Sequence, residues 1–333
     1  MKPDLNKLLI AKVKDEIPSN IRLVDYLMNS LSLSRESTYR RIRNQVSFTF
    51  DEVVKLASEN NFSIDELVKN ENKAYSLNLY HNTLEHLQEM FFDMMHVYGE
   101  ISVKLHKSKL SESINAIGYM NLSFVLHTDY LFRFMYYNLM HQFYGIPPAM
   151  SFSEFKIDPE IITLKNKYIH KVRFYPSCIN TIIFDQFTFL TSVRKINYYY
   201  RTGLISKEEL LAIADEFHTI INLLQELAKK GMDAEGNKYF IYLSLLHVES
   251  NSGHIRLDDD LEVLVGLNNV YDLRIKTPVV CRMIEIWLNS LKRDSTLISG
   301  CSEWLQVKYF NKQHEYINNI DNDDYLHFLR NSC

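Results

Sequence analysis

The spacing of apolar residues in the first 72 positions predicts five short helices. Apolar side chains recur there every three or four residues, which places them on one face of a helix. Serine, threonine or asparagine precedes most of these runs, and such residues cap a helix by accepting a free backbone amide. We expect the five helices over 4–16, 21–31, 34–43, 49–60 and 63–68.

The third predicted helix is strongly basic. Within nine positions it carries four arginines and one acid, Glu36; the arginines are Arg35, Arg40, Arg41 and Arg43. Thr38 and Ile42 lie one turn apart and are expected to face inward together. A helix with a cationic outer face suits the major groove of DNA, although a solvated basic face would have the same composition.

Five short helices with a basic third one resemble the helix-turn-helix domain of the Cro/lambda-repressor type (XRE-like). The resemblance rests on LVDYLMNSLSLSRESTYRRIR at 23–43, on TFDEVVKLA at 49–57 and on SIDEL at 63–67, and it covers about a fifth of the chain. The YRRIR version also looks like N-terminal domains of the BetR type. The resemblance implies that 24–31 is the positioning helix and 34–43 the recognition helix.

The same resemblance implies which residues contact double-stranded DNA: Arg35, Glu36, Ser37, Tyr39, Arg40, Arg41 and Arg43. Arg43 and the loop 45–49 would lie nearest the phosphates. Asn44 stands where the family usually has glycine, and asparagine tolerates the left-handed conformation better than most residues. Residues 1–70 hold 11 basic and 10 acidic residues, a net charge of +1. This near-neutral charge predicts modest non-specific affinity for DNA.

A heptad pattern follows the predicted DNA-binding domain. Apolar residues alternate steps of three and four along one seam: Leu77, Tyr80, Leu84, Leu87, Phe91, Met94, Tyr98, Ile101 and Leu105. A helix over 74–106 would be roughly 50 Å long. The seam would either pair with its twin in a homodimer or pack inside its own chain, and its aromatic and methionine residues favour packing inside. The next stretch, 114–146, is apolar nearly all round and is expected to be a buried helix.

The remaining part, 147–333, is expected to be helical with a small α+β portion. A capping box at Ser206 and Glu209 and a closing Gly231 predict a helix between them. The stretch 239–257 is typical of a strand, a turn and a returning strand, and 261–265 and 270–275 would extend a small sheet. The period of 174–189 does not decide between strand and helix. Helices are expected from Thr277 and over 301–320.

Composition and motifs argue against several classes of function. The net charge of −4 over 333 residues argues against a protein that coats nucleic acid along its whole surface. The four cysteines are scattered, and the first segment has no apolar signal core, so a cytoplasmic protein is predicted. The most apolar stretch of the chain carries charged residues, which argues against a transmembrane segment. No nucleophile elbow, phosphate loop, dinucleotide fingerprint or zinc motif occurs, so neither an enzyme nor a cofactor or metal is expected.

We therefore expect a mainly α protein with three parts: a helix-turn-helix domain over 1–72, a long heptad helix and buried helices over 73–146, and a sensing or assembly domain over 147–333. The function expected is sequence-specific transcription regulation by a dimer bound to double-stranded DNA. An unidentified small-molecule effector is a further expected partner, because the aromatic-rich body suits an apolar pocket. The alternative is a helical module that binds another protein instead of DNA.

Overall fold

The protein divides into two compact units, Met1–Asn78 and Leu79–Cys333. The computed structural model describes residues 4–17, 21–60, 62, 64–67, 87–108, 110–143, 145–169, 178–234, 236–267 and 271–325.

The described part of the first unit is helical, and its helices lie where the apolar spacing predicts them. They are α1 (Leu5–Glu16), α2 (Leu23–Leu31), α3 (Arg35–Ile42), α4 (Phe50–Glu59) and a short 3₁₀ turn (Ile64–Leu67). α4 begins with a complete capping box, in which the Thr49 side chain and the Glu52 side chain each accept the other's backbone amide. The core of the first unit is centred on four buried residues, Leu9, Val13, Leu27 and Leu56.

The second unit contains a mixed sheet of seven strands. In chain order the strands are β1 (Ser111–Ile117), β2 (Cys178–Asp185), β3 (Lys238–Ser244), β4 (Ser252–Leu257), β5 (Asp260–Leu267), β6 (Tyr271–Ile275) and β7 (Thr296–Leu297). Their order across the sheet is β6-β5-β4-β1-β2-β3-β7. β1, β2 and β3 are parallel, and all the other pairs are antiparallel.

Helices accompany the sheet throughout the second unit. In chain order they are α5 (Leu87–Lys107), α6 (Leu122–Val125), α7 (Tyr130–Gln142), α8 (Pro159–Ile169), α9 (Thr188–Arg201), α10 (Lys207–Lys230), α11 (Pro278–Arg293) and α12 (Glu303–Asn318). α10 has the predicted capping box at its start, and Gly231 closes it with a φ of 65°. That prediction is confirmed.

Helices pack on both faces of the sheet. Successive side chains of a strand point to opposite faces, so each strand contributes residues to both packing layers. On β1, Ala116 packs with Leu288 and Leu291 of α11. The next residue, Ile117, belongs to the large core that α7, α9, α10 and α12 complete on the other face. α5 lies on this second face too, where its Ile101 packs against Ile255 and Leu257 of β4. The second unit therefore has three layers.

The expectation of a mainly α protein with a small C-terminal α+β part is wrong. The sheet draws strands from residue 111 to residue 297 and forms the middle layer of the second unit. Its central pairs, β1 with β2 and β2 with β3, are parallel, so their partners are far apart in sequence. Parallel pairing of this kind has no local turn signal, which is why the pattern along the chain did not predict it.

Two local expectations also fail. The stretch 114–146 is not one buried helix, because it contains the end of β1 and then α6 and α7. β3 and β4 are not a strand and its returning partner, since β1 and β2 lie between them in the sheet. The ambiguous stretch 174–189 holds β2 and the start of α9, and residues 174–177 lie outside the described residues.

The heptad seam packs inside its own chain over the part that the structure describes. Phe91, Met94 and Ile101 on α5 are buried, and the Phe91 ring contacts Phe132 and Tyr136 of α7 with centroids 5.7 and 4.7 Å apart. Leu77, Tyr80 and Leu84 lie outside the described residues. Of the two arrangements considered, the described seam follows the intrachain one, so it is not available to pair with a twin.

No helix among the described residues combines the length and the apolar character needed to cross a membrane.

Candidate nucleic-acid interface

The inner side of α3 is fixed at three residues that lie one helical turn apart. Ser34 caps the helix, since its Oγ accepts the backbone N–H of Ser37 at 3.2 Å. The Thr38 side chain is fully buried and donates its hydroxyl to the Ser34 carbonyl at 3.0 Å. Ile42, one turn later, packs against the core of the first unit. Because these contacts hold the helix from behind, its outer side is free to carry polar residues.

The outer side of α3 carries most of the predicted DNA-contacting residues. Arg35, Glu36, Arg40 and Arg43 are exposed, and Tyr39 is half-buried. Together with the next loop they line one shallow, open surface, which we call the arginine surface: Arg35, Glu36, Tyr39, Arg40, Arg43 and Gln45. The structure thus brings five of the seven predicted residues to one place.

Tyr39 organises the cations of the arginine surface. The guanidinium carbons of Arg35 and Arg43 lie 6.0 and 5.5 Å from the centre of its ring. An aromatic ring attracts a cation placed over its face, by about 0.5–1 kcal/mol at an exposed site. Within the described part of the chain, no acid forms an ion pair with Arg35, Arg40 or Arg43. The surface therefore presents three positive side chains and one negative one, Glu36, to the solvent.

Arg41 does not belong to this surface. Its Nε and one terminal nitrogen donate to the two carboxylate oxygens of Glu52 at 3.0 and 2.7 Å, and its other nitrogen donates to the Ser37 hydroxyl at 2.7 Å. Only 11% of the Arg41 side chain and 16% of the Glu52 side chain are exposed. A forked pair of this geometry is strong and directional. The Arg41–Glu52 pair thus fixes α3 against α4, and Ser37 holds the Arg41 guanidinium from within α3, so neither Arg41 nor Ser37 belongs to the arginine surface.

The end of α3 is held by a buried asparagine that the sequence pattern did not single out. Asn6 on α1 donates to the Arg41 carbonyl at 3.1 Å and to Asn44 Oδ1 at 2.8 Å, and its own Oδ1 accepts the Phe48 amide at 3.0 Å. Asn44 has a φ of 58°, the left-handed conformation expected of a residue in place of glycine. Asn6 lies on the same face of α1 as Leu9 and Val13. A polar residue on this apolar face was the signal in the sequence from which a buried, hydrogen-bonded Asn6 could have been predicted.

The loop that follows α3 leads from Asn44 to the start of α4. Gln45, Ser47 and Thr49 are exposed, whereas Val46 and Phe48 are half-buried. Phe48 packs beneath Arg41, whose guanidinium lies 6.0 Å from its ring centre. Exposed polar side chains therefore continue from the arginine surface into this loop.

No protein-family model matches the chain, and neither curated proteins nor solved structures show significant similarity to it.

Proposed function

We propose that this protein binds double-stranded DNA in a sequence-specific manner and regulates transcription in the cytoplasm, with α3 in the major groove. The observation that supports this most directly is the arginine surface. It combines exposed cations without acidic partners among the described residues and a helix fixed from behind by Thr38, Ile42 and the Arg41–Glu52 pair. A rigid helix presenting a small set of polar side chains is the feature that major-groove readers share.

The side chains of the arginine surface suggest different tasks. Arg35, the first residue of α3, and Arg40 are both exposed and suit guanine, whose O6 and N7 accept a forked pair of donors. Glu36 suits the amino group of cytosine. Arg43 and the loop over residues 45–49 lie at the end of the helix and suit phosphates, which position the protein without reading sequence.

We further propose that the DNA-bound form is a homodimer. The first 70 residues carry a net charge of only +1, so a single copy is expected to bind weakly. Two copies related by a two-fold axis would place two α3 helices in half-sites one helical turn apart. The described seam of α5 is buried, and the surface we assign to pairing is therefore the outer side of α11.

The outer side of α11 carries a row of exposed apolar residues: Val279, Met283, Ile286 and Trp287. Their spacing of four, three and one residues places them in one stripe, opposite Cys281 and Leu288, which face the sheet. Exposed apolar rows of this kind often mark protein–protein contacts. A second copy of the chain is the occupant that the DNA-binding proposal requires.

Selection of bound DNA from a random pool by the full-length protein tests the DNA proposal. We expect one enriched motif with two-fold symmetry. Against that motif, Arg35→Ala and Arg40→Ala should each cost about 1–3 kcal/mol and relax sequence preference at one position. Arg43→Ala should weaken all sequences alike and lower the slope of affinity against salt by about 1. Fluorescence anisotropy at several salt concentrations measures both effects.

Lys55→Ala is the matched control, because it removes one exposed charge from α4 rather than from α3. It should leave sequence preference unchanged. The alternative function, a module that grips an acidic protein through the same arginines, predicts no enriched DNA motif at any salt concentration. Failure of the full-length protein to enrich DNA at low salt would therefore overturn the proposal.

A further inference from the structure

A cavity of about 180 Å³ lies in the second unit between the sheet and α5. Its floor is made by β1, β2 and β4, and α5, the start of α6 and β6 supply its walls. An engineered apolar cavity of about 150 Å³ is large enough to take up benzene. The volume therefore admits a compact molecule of the size of a single small ring with its substituents.

The floor of the cavity is polar although it lies at the centre of the sheet. Ser113 of β1 stands directly opposite Asn180 of β2 in the parallel ladder, and Asn115 follows two residues later on the same face. Strands covered on both faces are usually apolar throughout. The three side chains form one chain of hydrogen bonds: Asn115 donates to Ser113 at 3.1 Å, and Ser113 donates to Asn180 at 2.9 Å.

Gly253 makes room for the Asn115 amide. It is the partner of Asn115 across the β1–β4 ladder, and a Cβ added there would come within 2.6 Å of Asn115 Oδ1. Any other residue at 253 would displace the amide from the floor. The neutral amide of Asn115 thus occupies space that a side chain at residue 253 would otherwise fill.

The walls add aromatic rings and one carboxyl group. Asp272 of β6 accepts a hydrogen bond from the Tyr98 hydroxyl of α5 at 2.7 Å, and the Phe124 and Tyr239 side chains also line the space. Among the described residues that line the cavity there is no lysine, arginine or histidine. Burying an anion without a cationic partner is costly, so the lining disfavours an acidic ligand.

We propose that this cavity binds an uncharged polyhydroxylated molecule of the size of a pentose or hexose. A hydroxyl group both donates and accepts, and the side chains of serine and asparagine offer the same pair of functions. The aromatic rings of the walls suit the C–H faces of such a molecule. This inference is independent of DNA binding, because it depends only on residues of the second unit.

Thermal unfolding of the full-length protein with defined probes tests the proposal. The uncharged probes are D-ribose, D-xylose, D-glucose and myo-inositol, each at about 10 mM. The charged probes are ribose 5-phosphate, gluconate and glucosamine. We expect at least one uncharged probe to raise the unfolding midpoint by about 2 °C or more and to bind saturably in calorimetry, with the anionic probes inert. No shift with any uncharged probe, or shifts confined to charged ones, would overturn the proposal.

Asn115→Leu distinguishes binding from mere stability. Leucine has a similar volume, but it leaves the buried Ser113 hydroxyl without the hydrogen bond that Asn115 donates, and losing one partner of a buried bond costs about 1–3 kcal/mol. We therefore expect a lower midpoint without probe and no further shift of that midpoint when the probe is added. Asn180→Leu provides a second test of the floor. Glu112→Gln is the control, since Glu112 lies on β1 but beside Arg256 on the opposite face. If Asn115→Leu and Asn180→Leu both retain the full shift, the site is not this cavity.

Discussion

Two residues beside α3 adopt the left-handed backbone conformation without being glycine. Ser32, between α2 and α3, has a φ of 53°, and Asn44, after α3, has a φ of 58°. The conformation costs an ordinary residue about 1–2 kcal/mol. At Asn44 the side chain offsets this cost, because it donates to Asp4 at 2.7 Å and accepts from Asn6. The sequence indicated the conformation at Asn44 but not at Ser32, since serine has no comparable preference for it.

Asp272 is the residue at which burial has the clearest electrostatic consequence. Burial raises the pKa of its carboxyl group, and the hydrogen bond from Tyr98 lowers that pKa by a smaller amount. The other titratable side chains whose charge is coupled to it are phenols, Tyr119 and Tyr271, which stay neutral over the same pH range. The folded protein therefore holds this proton to a higher pH than the unfolded chain does.

A raised carboxyl pKa predicts a loss of stability as pH rises. Below about 3.9, the usual aspartate pKa, both folded and unfolded chains are protonated and Asp272 has no effect. Between that value and the raised one, the folded state binds more protons, so the free energy of unfolding falls with pH. Asp272→Asn removes the ionisation, and its stability relative to wild type should rise through this window and then level off.

Denaturant unfolding of both proteins between pH 4 and pH 8 measures this difference. Asp260→Asn, which makes the same change at an exposed aspartate at the start of β5, is the control for the substitution itself. If the free energy of unfolding of Asp272→Asn differed from that of wild type by the same amount at every pH, the raised pKa of Asp272 would be contradicted.

At the scale of elements, local signals predicted the helices of the first unit, α10 and the strands β3 to β6, but they missed β1 and β7 and left β2 undecided. Caps at Ser34, Thr49 and Ser206 are read from neighbouring residues, and each stands where the structure has one. β1 has polar residues at 113 and 115 because they line a cavity, so its inward face resembles an outward one. The arginine surface was predictable from α3 alone. The contacts of Arg41 with Glu52 and of Asn6 with Asn44 join residues that are far apart in sequence, and no local pattern specifies such a pairing.

The Arg41–Glu52 pair is expected to decide the stability of the α3–α4 contact. Glu52→Ala leaves the Arg41 guanidinium largely buried without its partner and also removes the capping box of α4. Breaking a buried pair costs about 3–5 kcal/mol, and losing a cap about 1 kcal/mol. With both side chains partly exposed, we expect a loss of about 3 kcal/mol, seen as faster hydrogen exchange of α3 and α4 amides in the full-length protein.

Glu16→Ala is the matched control for this prediction. It removes an acid that also pairs at 2.7 Å, with Lys12, but on the exposed side of α1. Exposed pairs one turn apart contribute only about 0.2–0.5 kcal/mol. Equal effects of Glu52→Ala and Glu16→Ala would show that the Arg41 pair does not hold the helices together.

At the scale of the whole molecule, the proposed function needs two copies, and α11 supplies a surface on which that need can be tested. Met283 and Ile286 are 60% and 62% exposed, an unusual condition for neighbouring apolar residues on one helix. We expect the Met283→Glu, Ile286→Glu double variant to shift the protein from dimer to monomer. Light scattering after size exclusion should then give a mass near 39.4 kDa.

The control for pairing is the Leu211→Glu, Leu223→Glu double variant. It places two acids at exposed apolar positions of α10, a different helix, and should leave the mass unchanged. DNA affinity should fall with the α11 variant and not with the α10 variant. A wild-type protein that stays monomeric on its selected DNA would rule out the pairing.

The position of β1 in the sheet has a consequence for the order in which the protein is made. Gly118, just after β1, is bonded to Asn251, 133 residues later in the chain, whereas the contact of Asn6 with Phe48 spans only 42. Ribosomes add about 5–20 residues per second, so β1 waits roughly 7–27 s for its neighbour β4 to be synthesised. During that interval all residues of the first unit have already been synthesised and can contact one another. A nascent chain therefore completes the helix proposed to read DNA well before the sheet that would carry a small molecule can close.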